Sequence, residues 1–116
     1  MMTFDLSDLA EKFAERKESA RRTLRDVSSK EVQDLVLHLF PDTNHPFAEP
    51  VERFVAEHKT ERAVRGETSD GVSFIYYPQA NQGIWYTQKE GSLSIGLLAS
   101  RSLQGLAELT REMGKH

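Results

Sequence analysis

The sequence contains no cysteine, so it can form neither a disulfide nor a thiolate metal site, and it offers no cysteine nucleophile. The remaining candidate nitrogen ligands are four histidines, no two of which are spaced four residues apart: His38, His45, His58 and His116. The sequence also lacks a His-Glu-x-x-His motif. We therefore expect no metal site and no cofactor.

Long apolar runs are also lacking, since none approaches the about 18 residues that a transmembrane helix requires. The first residues show no basic segment followed by an apolar core, which predicts that there is no secretory signal. We expect a cytoplasmic protein with no membrane partner. The net charge of -3 further argues against general electrostatic capture of nucleic acid.

Motifs of catalysis are missing as well. The sequence has no Gly-x-Ser-x-Gly elbow, no Walker-type glycine loop and no Gly-x-Gly-x-x-Gly after a predicted strand. Pairs of carboxylates occur, as in any chain this acidic, but nothing in their spacing singles them out. An enzymatic activity is therefore not indicated, and a non-enzymatic role is favoured.

The chain is long enough for one domain with its own core. A domain of 116 residues buries roughly two-thirds of the surface that its unfolded chain exposes. The hydrophobic fraction of 38% and the charged fraction of 28% are typical of a globular protein. We therefore predict a single domain over residues 1–116.

Three helices are predicted in the first half of the chain. The first begins at Leu6 after Asp5 as N-cap, and its apolar stripe continues to Val27. The second follows Ser28, which can form a capping box with Glu31. The third begins near Pro50, after a turn-rich connection. The predicted core positions of the second and third helices are Val32, Leu35, Val36, Leu39, Phe40, Val51, Phe54, Val55 and His58.

From Thr60 the apolar period changes from that of a helix to that of a strand. Residues 61–67 are charged with a lone Val64, which predicts a strand at the edge of a sheet. Three further strands are predicted at residues 72–77, 84–88 and 92–98. A fourth helix, from about residue 101 to 113, closes the chain. The fold class is thus α+β, with three N-terminal helices, an antiparallel meander of three to four strands and a C-terminal helix packed on the sheet.

Strand pairing predicts an apolar sheet on both faces. A two-residue hairpin loop at Glu90 and Gly91 would place Trp85 opposite Gly96, and Tyr77 is expected opposite Ile84 across the longer loop. Alternation of side chains then gives a first face with Ile75, Tyr77, Ile84, Tyr86, Leu93, Ile95 and Leu97. The second face holds Val72, Phe74, Tyr76, Trp85 and Thr87 beside Ser92, Ser94 and Gly96. The first is the expected core, and the second is covered by a helix or is a binding surface.

The leading functional hypothesis is a small non-enzymatic interaction module, such as an immunity-type inhibitor, an adaptor or a regulatory subunit. It would bind a protein partner, or a second copy of itself, through the second sheet face, because tyrosine and tryptophan are enriched at interface anchors. The candidate contact residues are Phe74, Tyr76, Trp85 and Leu37, the last of which lies off the core face of the second helix.

Two alternatives remain open. The first is a nucleic-acid-associated regulator, because residues 16–25 contain five basic side chains and one acidic one, a local charge of +4, with Arg21, Arg22 and Arg25 as the contact residues. Neutralisation of these charges by the acidic residues 26–57 is the competing interpretation. The second alternative is a small enzyme or ligand carrier with a pocket between sheet and helices, lined by Tyr77, Tyr86 or His58. The identity of any partner is not predicted.

Overall fold

The computed structural model of the chain describes residues 6–42 and 44–113, with side chains from residue 15 onward. This part of the chain is an α+β structure of four helices and five strands. In chain order, these are α1 (Leu6–Thr23), β1 (Arg25–Val27), α2 (Ser29–Leu39), α3 (Ala48–Glu57), β2 (Ala63–Glu67), β3 (Ser73–Tyr77), β4 (Gln82–Lys89), β5 (Ser92–Leu97) and α4 (Ser100–Met113). None of the described helices is long and apolar enough to cross a membrane.

The five strands form one antiparallel sheet in the order β1-β2-β3-β4-β5. The sequence analysis predicted three to four strands and did not include the short strand β1. This strand lies between α1 and α2 in the chain. The first helix ends at Thr23 instead of continuing to Val27. The Thr23 hydroxyl accepts a hydrogen bond from the backbone N–H of Glu67 (2.7 Å) and donates one to its carbonyl (2.8 Å), which fixes the end of α1 to β2.

The edge position predicted for β2 was also wrong, because β1 pairs with its outer side. The charges near β2 are matched by neighbours. Arg62 donates from Nε to Asp26 in β1 at 2.6 Å, and Arg65 donates to the hydroxyl of Tyr86 at 3.0 Å. Charged residues in this segment thus hold β1 and the sheet together instead of preventing strand pairing.

The register between β4 and β5 agrees with the prediction, with Lys89 opposite Ser92 and Trp85 opposite Gly96. Between β3 and β4 the predicted register is wrong by two residues, since Tyr77 lies opposite Gln82. The connecting loop is shorter than expected and turns at Asn81, whose φ is +51°. Because side chains alternate with a period of two, a shift of two residues leaves every side chain on its predicted face.

The first face packs against α2 and α3. Both helices bury the positions that the sequence predicts, and α2 begins with the predicted cap, in which Ser28 Oγ accepts from the N–H of Glu31 at 3.1 Å. The cluster on this face contains Val32, Val36, Leu39, Phe40, Val51, Val55, Ile75, Tyr77, Ile84 and Tyr86. Leu97 does not join it, contrary to prediction, because it lies at the end of the outermost strand β5 with 71% of its surface exposed.

The second face packs against α1 and α4. Its cluster contains Ala20, Val64, Phe74, Tyr76, Leu106 and Leu109, with Leu24, Trp85, Leu98, Leu103 and Met113 at its margin. Helices therefore cover both faces of the sheet. The predicted stripe of α1 before residue 15, its cap Asp5 and His116 lie outside the residues whose side chains are described.

His58 ends α3, as the sequence predicts, and lies next to buried groups. Its ring stacks on Tyr77 at 4.8 Å between centroids, and its Nδ1 contacts the carboxylate of Glu61. Burial, with a smaller contribution from the charge of Glu61, raises the pKa of Tyr77 to about 12. The Tyr77 phenol is thus kept neutral by the same packing that covers the first face.

We expect the two aromatic residues of the second face to differ in their effect on stability. Tyr76 is 1% exposed and donates from its hydroxyl to Asn81 Oδ1 at 2.7 Å, so Tyr76→Ala should lower the free energy of unfolding by about 3–5 kcal/mol. Trp85 is only partly buried, so Trp85→Ala should cost about 2 kcal/mol. Urea unfolding monitored by circular dichroism measures both, and equal losses would contradict this prediction.

A second prediction concerns alkaline pH. Because burial raises the pKa of Tyr77 above the value of about 10 in the unfolded chain, the neutral phenol stabilises the fold fully below pH 10. That contribution is lost as the pH rises from about 10 to about 12. Burial also raises the pKa of Tyr76, so absorbance at 295 nm should show more than one tyrosine that titrates late, and Tyr77→Phe should remove the component near pH 12. Persistence of this component in Tyr77→Phe would assign it to another tyrosine.

Candidate functional site: an apolar groove between α1 and α4

A groove with a volume of about 740 Å³ lies over the second sheet face, between α1 and α4. We call it the α1–α4 groove. Phe74, Trp85 and Leu98 lie at its base, and Ala20 lines it from α1. The wall from α4 includes Gly105, Leu106 and Leu109. Most of this lining is apolar, and the volume is within the range of about 300–1,000 Å³ that is typical of ligand sites.

Glycines determine how the two aromatic rings of the groove lie. Trp85 is opposite Gly96, where an added Cβ would approach the indole Nε1 to 2.9 Å. Phe74 is opposite Gly66, where an added Cβ would approach the ring to 2.6 Å. Each ring therefore lies across the backbone of a neighbouring strand. Gly96, which the sequence places beside Trp85, is thus covered by the indole.

The predicted contact residues separate into three environments. Trp85 is partly exposed in the groove, and Phe74 lies beneath it at 3% exposure. Tyr76 is fully buried, so any contribution it makes to binding acts through the packing of the groove. Leu37 is 63% exposed on α2, which covers the opposite face of the sheet. The structure thus brings Phe74 and Trp85 together and places Leu37 elsewhere.

Gly105 is a residue of the groove that the sequence analysis missed. It occupies the interior of α4, where glycine is less favourable than alanine by about 0.5–1 kcal/mol. No steric reason requires it, since an added Cβ would meet no heavy atom of the described neighbouring elements within 4 Å. The missing side chain instead enlarges the groove. The only signal in the sequence was a glycine within an otherwise regular helix, since position 105 lies away from the apolar face of α4.

Ion pairs hold α1 against α4 beside the groove. Lys17 Nζ donates to Glu108 Oε2 at 2.5 Å, and Arg21 Nε donates to Glu112 Oε2 at 3.1 Å. The hydrogen bond from Lys17 is the main reason why the pKa of Glu108 is lowered. These pairs join the C-terminal halves of the two helices, while the groove opens between Arg16 on α1 and the first turns of α4.

The rim near the β2–β3 turn is also polar. Arg16 forms an ion pair with Asp70 at 2.8 Å, and Thr68 donates its hydroxyl to the same carboxylate. The hydrogen bond from Thr68, together with the charge of Arg16, lowers the pKa of Asp70. Among the residues whose side chains are described, four charged ones line the groove: Arg16, Lys17, Arg101 and Glu108. With Asp70, which pairs with Arg16, the rim has three basic and two acidic side chains and a local charge of +1.

The basic residues predicted for nucleic-acid contact are in ion pairs. Arg25 donates to both carboxylate oxygens of Glu31 at 3.2 and 3.0 Å. Of the three arginines, only Arg25 contacts a described residue of the acidic stretch 26–57, which was expected to neutralise their charge. Arg21 instead binds Glu18 and Glu112, and Arg22 lies 3.9 Å from Glu18. These partners reduce the charge that the stripe presents to solvent.

The tyrosines and histidine named for an alternative pocket lie on the first face, opposite the groove. Tyr77 and His58 are stacked, and Tyr86 accepts a hydrogen bond from Arg65. Within the described residues, no group of three or more His, Cys, Asp or Glu side chains is arranged to hold a metal ion. Of the surfaces considered, the α1–α4 groove is therefore the best candidate for a functional site.

Two substitutions at Gly105 should separate stability from access to the groove. Gly105→Ala should raise the free energy of unfolding by about 0.5–1 kcal/mol, because alanine favours the helix and has room for its Cβ. Gly105→Leu should fill the groove and lower the rate constant for acrylamide quenching of Trp85. Gln33→Leu, at an exposed position of α2, is the control and should leave quenching unchanged. Unchanged quenching in Gly105→Leu would contradict the geometry of the groove.

Comparison with known proteins adds no further information about this groove. We compared the chain with protein-family models, with curated proteins and with solved structures. None of the three comparisons gives a match.

Proposed function

We propose that this protein is a non-enzymatic interaction module that binds an amphipathic segment of a protein partner in the α1–α4 groove. The observation that supports it most is Trp85, which is partly exposed at the base of an apolar groove. Gly105 has no side chain and therefore leaves more space at the α4 side of this groove. Tryptophan in a concave apolar setting is the typical anchor of a protein interface.

The shape of the groove favours a helical or turn-forming segment over an extended one. Its long walls are two helices, and its base is the aromatic sheet face, so it accepts side chains from one face of an incoming helix. Burial of such side chains against Trp85 and Leu98 supplies the apolar contribution to binding.

Charge at the rim favours a partner with carboxylates beside its apolar face. The described charged side chains of the rim, with Asp70 included, carry a local charge of +1, although the chain as a whole carries -3. Complementary charge increases the rate of association and selects among partners more than it adds affinity. An acidic amphipathic helix therefore fits the groove better than a basic one.

The polar groups of the groove support a binding role. The carboxylate of Glu108 is engaged by Lys17, and that of Asp70 by Arg16 and Thr68. A general base needs to be within reach of a substrate proton, and these carboxylates are instead occupied with holding the rim together. The centre of the groove, around Trp85, is lined by hydrocarbon.

Selection from a library of helical peptides tests the proposal. Enriched peptides should have one apolar face and acidic flanks, and their binding should shift the emission of Trp85, the only tryptophan. Gly105→Leu should weaken binding at least about tenfold, which corresponds to about 1.4 kcal/mol. Leu37→Ser, on the opposite side of the sheet, is the matched control and should bind with unchanged affinity.

Four results would argue against this function. Equal binding by Gly105→Leu would place the interface elsewhere, and loss of binding in Leu37→Ser would assign it to α2. Tight binding of a single-stranded oligonucleotide that weakens steeply with salt and is lost in Arg22→Ala would favour the nucleic-acid alternative. If the selection enriches no peptide, the proposed function is wrong.

A further inference from the structure

The sheet has two edges that differ in how they are protected. At one edge, β1 is only three residues long and carries Arg25 and Asp26. At the other edge, β5 is six residues long, Ser92–Leu97, with no charged residue and no proline. Natural proteins blunt long edge strands with charges, prolines or bulges, because unpaired backbone groups invite another strand. The β5 edge has none of these protections.

The direction of the free backbone groups follows from the hairpin register. Glu90 and Gly91 both have positive φ, +50° and +80°, as a two-residue type I′ turn requires. Such a turn is closed by a hydrogen-bonded pair, here Lys89 and Ser92, so the even-numbered residues of β5 bond to β4. The N–H of Leu98, which donates to the carbonyl of Gly83 at 2.9 Å, continues this pattern.

The odd-numbered residues Leu93, Ile95 and Leu97 therefore direct their N–H and C=O groups away from the sheet. No described strand lies beyond β5 to bond them. Their side chains share the first face, where Leu93 and Ile95 are partly buried at the margin of the cluster and Leu97 is 71% exposed. The edge thus combines unpaired backbone groups with a row of aliphatic side chains that is incompletely covered.

We propose that β5 pairs with β5 of a second copy of this chain, antiparallel about a two-fold axis, to form a continuous ten-stranded sheet. The edge is self-complementary: with Ile95 opposite Ile95 of the other copy, Leu93 of each lies opposite Leu97 of the other. Every outward N–H and C=O of the three residues then finds a partner, and the leucine that is most exposed becomes covered. An uncharged strand creates no like-charge repulsion in this arrangement.

This contact shares Leu97 with the lining of the α1–α4 groove and otherwise uses different residues. It does not depend on the proposed function. The two-fold arrangement places the aliphatic residues of both β5 strands on one face of the sheet and their small residues on the other. A second copy of this chain is therefore favoured as the partner over a strand of another protein. Ser92, Ser94 and Gly96 of both copies then lie together on the second face, where the residues of β5 itself are small.

The test is the oligomeric state of the full chain over a concentration series by analytical ultracentrifugation. We expect a dimer whose dissociation constant changes little between low and high salt, since no charges meet at the edge. Leu97→Pro removes an outward N–H and the exposed leucine side chain but no hydrogen bond between β4 and β5, and it should weaken dimerisation about tenfold or more. Leu97→Lys should do the same by placing a charge at the edge, whereas Leu37→Lys, at a comparably exposed leucine, should not.

The absence of native cysteine allows the register to be tested directly. In the proposed dimer, the two copies of residue 95 form a hydrogen-bonded pair with Cα atoms about 5.5 Å apart, within the range for a disulfide. Ile95→Cys should therefore cross-link under mild oxidation, whereas Ser69→Cys, in the exposed β2–β3 turn, should not.

A monomer at all concentrations, or a dimer that survives both Leu97→Pro and Leu97→Lys, would overturn the inference. Gly105→Leu serves to distinguish the two proposals, because it blocks the groove and should leave dimerisation intact. Loss of the dimer in Gly105→Leu would place the interface between copies at the groove instead of at β5, and would also overturn the inference.

Discussion

The structure depends on one strand that is buried on both sides. Residues 74–77 of β3 are each at most 3% exposed, and they alternate between the two faces of the sheet. A strand of this kind cannot be stable with helices on one face only, because its other face would present aromatic rings to water. The two helix pairs, α2 with α3 and α1 with α4, follow from this requirement.

The two faces satisfy the requirement in different ways. On the first, branched aliphatic residues interdigitate with two amphipathic helices, and the packing is continuous. On the second, Phe74 and Trp85 lie flat across glycines, and α1 and α4 are joined by ion pairs beside them instead of by close packing along their whole length. The groove is therefore the space that remains over the second face because α1 and α4 do not pack closely along their whole length.

Much of this fold could be predicted from the sequence, because its strongest signals are periodic. The predicted register between β3 and β4 was wrong by two residues, yet every strand residue lies on its predicted face, because the period of a strand is two. The capping box at Ser28 gave the start of α2 correctly, because it is a local hydrogen bond between residues three positions apart.

The errors arise where distant contacts override local pattern. Residues 24–27 continue the apolar stripe of α1, yet the bond of Thr23 to Glu67 and the pairing with β2 turn them into β1. No local signal predicts a three-residue strand whose partner is nearly 40 residues away. Of the candidate site, the sequence predicted the pair Phe74 and Trp85, but not that the missing side chain of Gly105 in α4 would leave space above them.

The short strand β1 also has a consequence for local unfolding. It shields the outer side of β2 through three paired residues and through surface ion pairs, those of Arg62 with Asp26 and of Arg25 with Glu31. Such contacts are individually weak and are screened by salt, so β1 can detach at a lower cost than global unfolding. The β1 edge can thus open while the rest of the sheet stays folded, and the backbone amides of β2 that face β1 should exchange with solvent before the β2 amides that bond to β3.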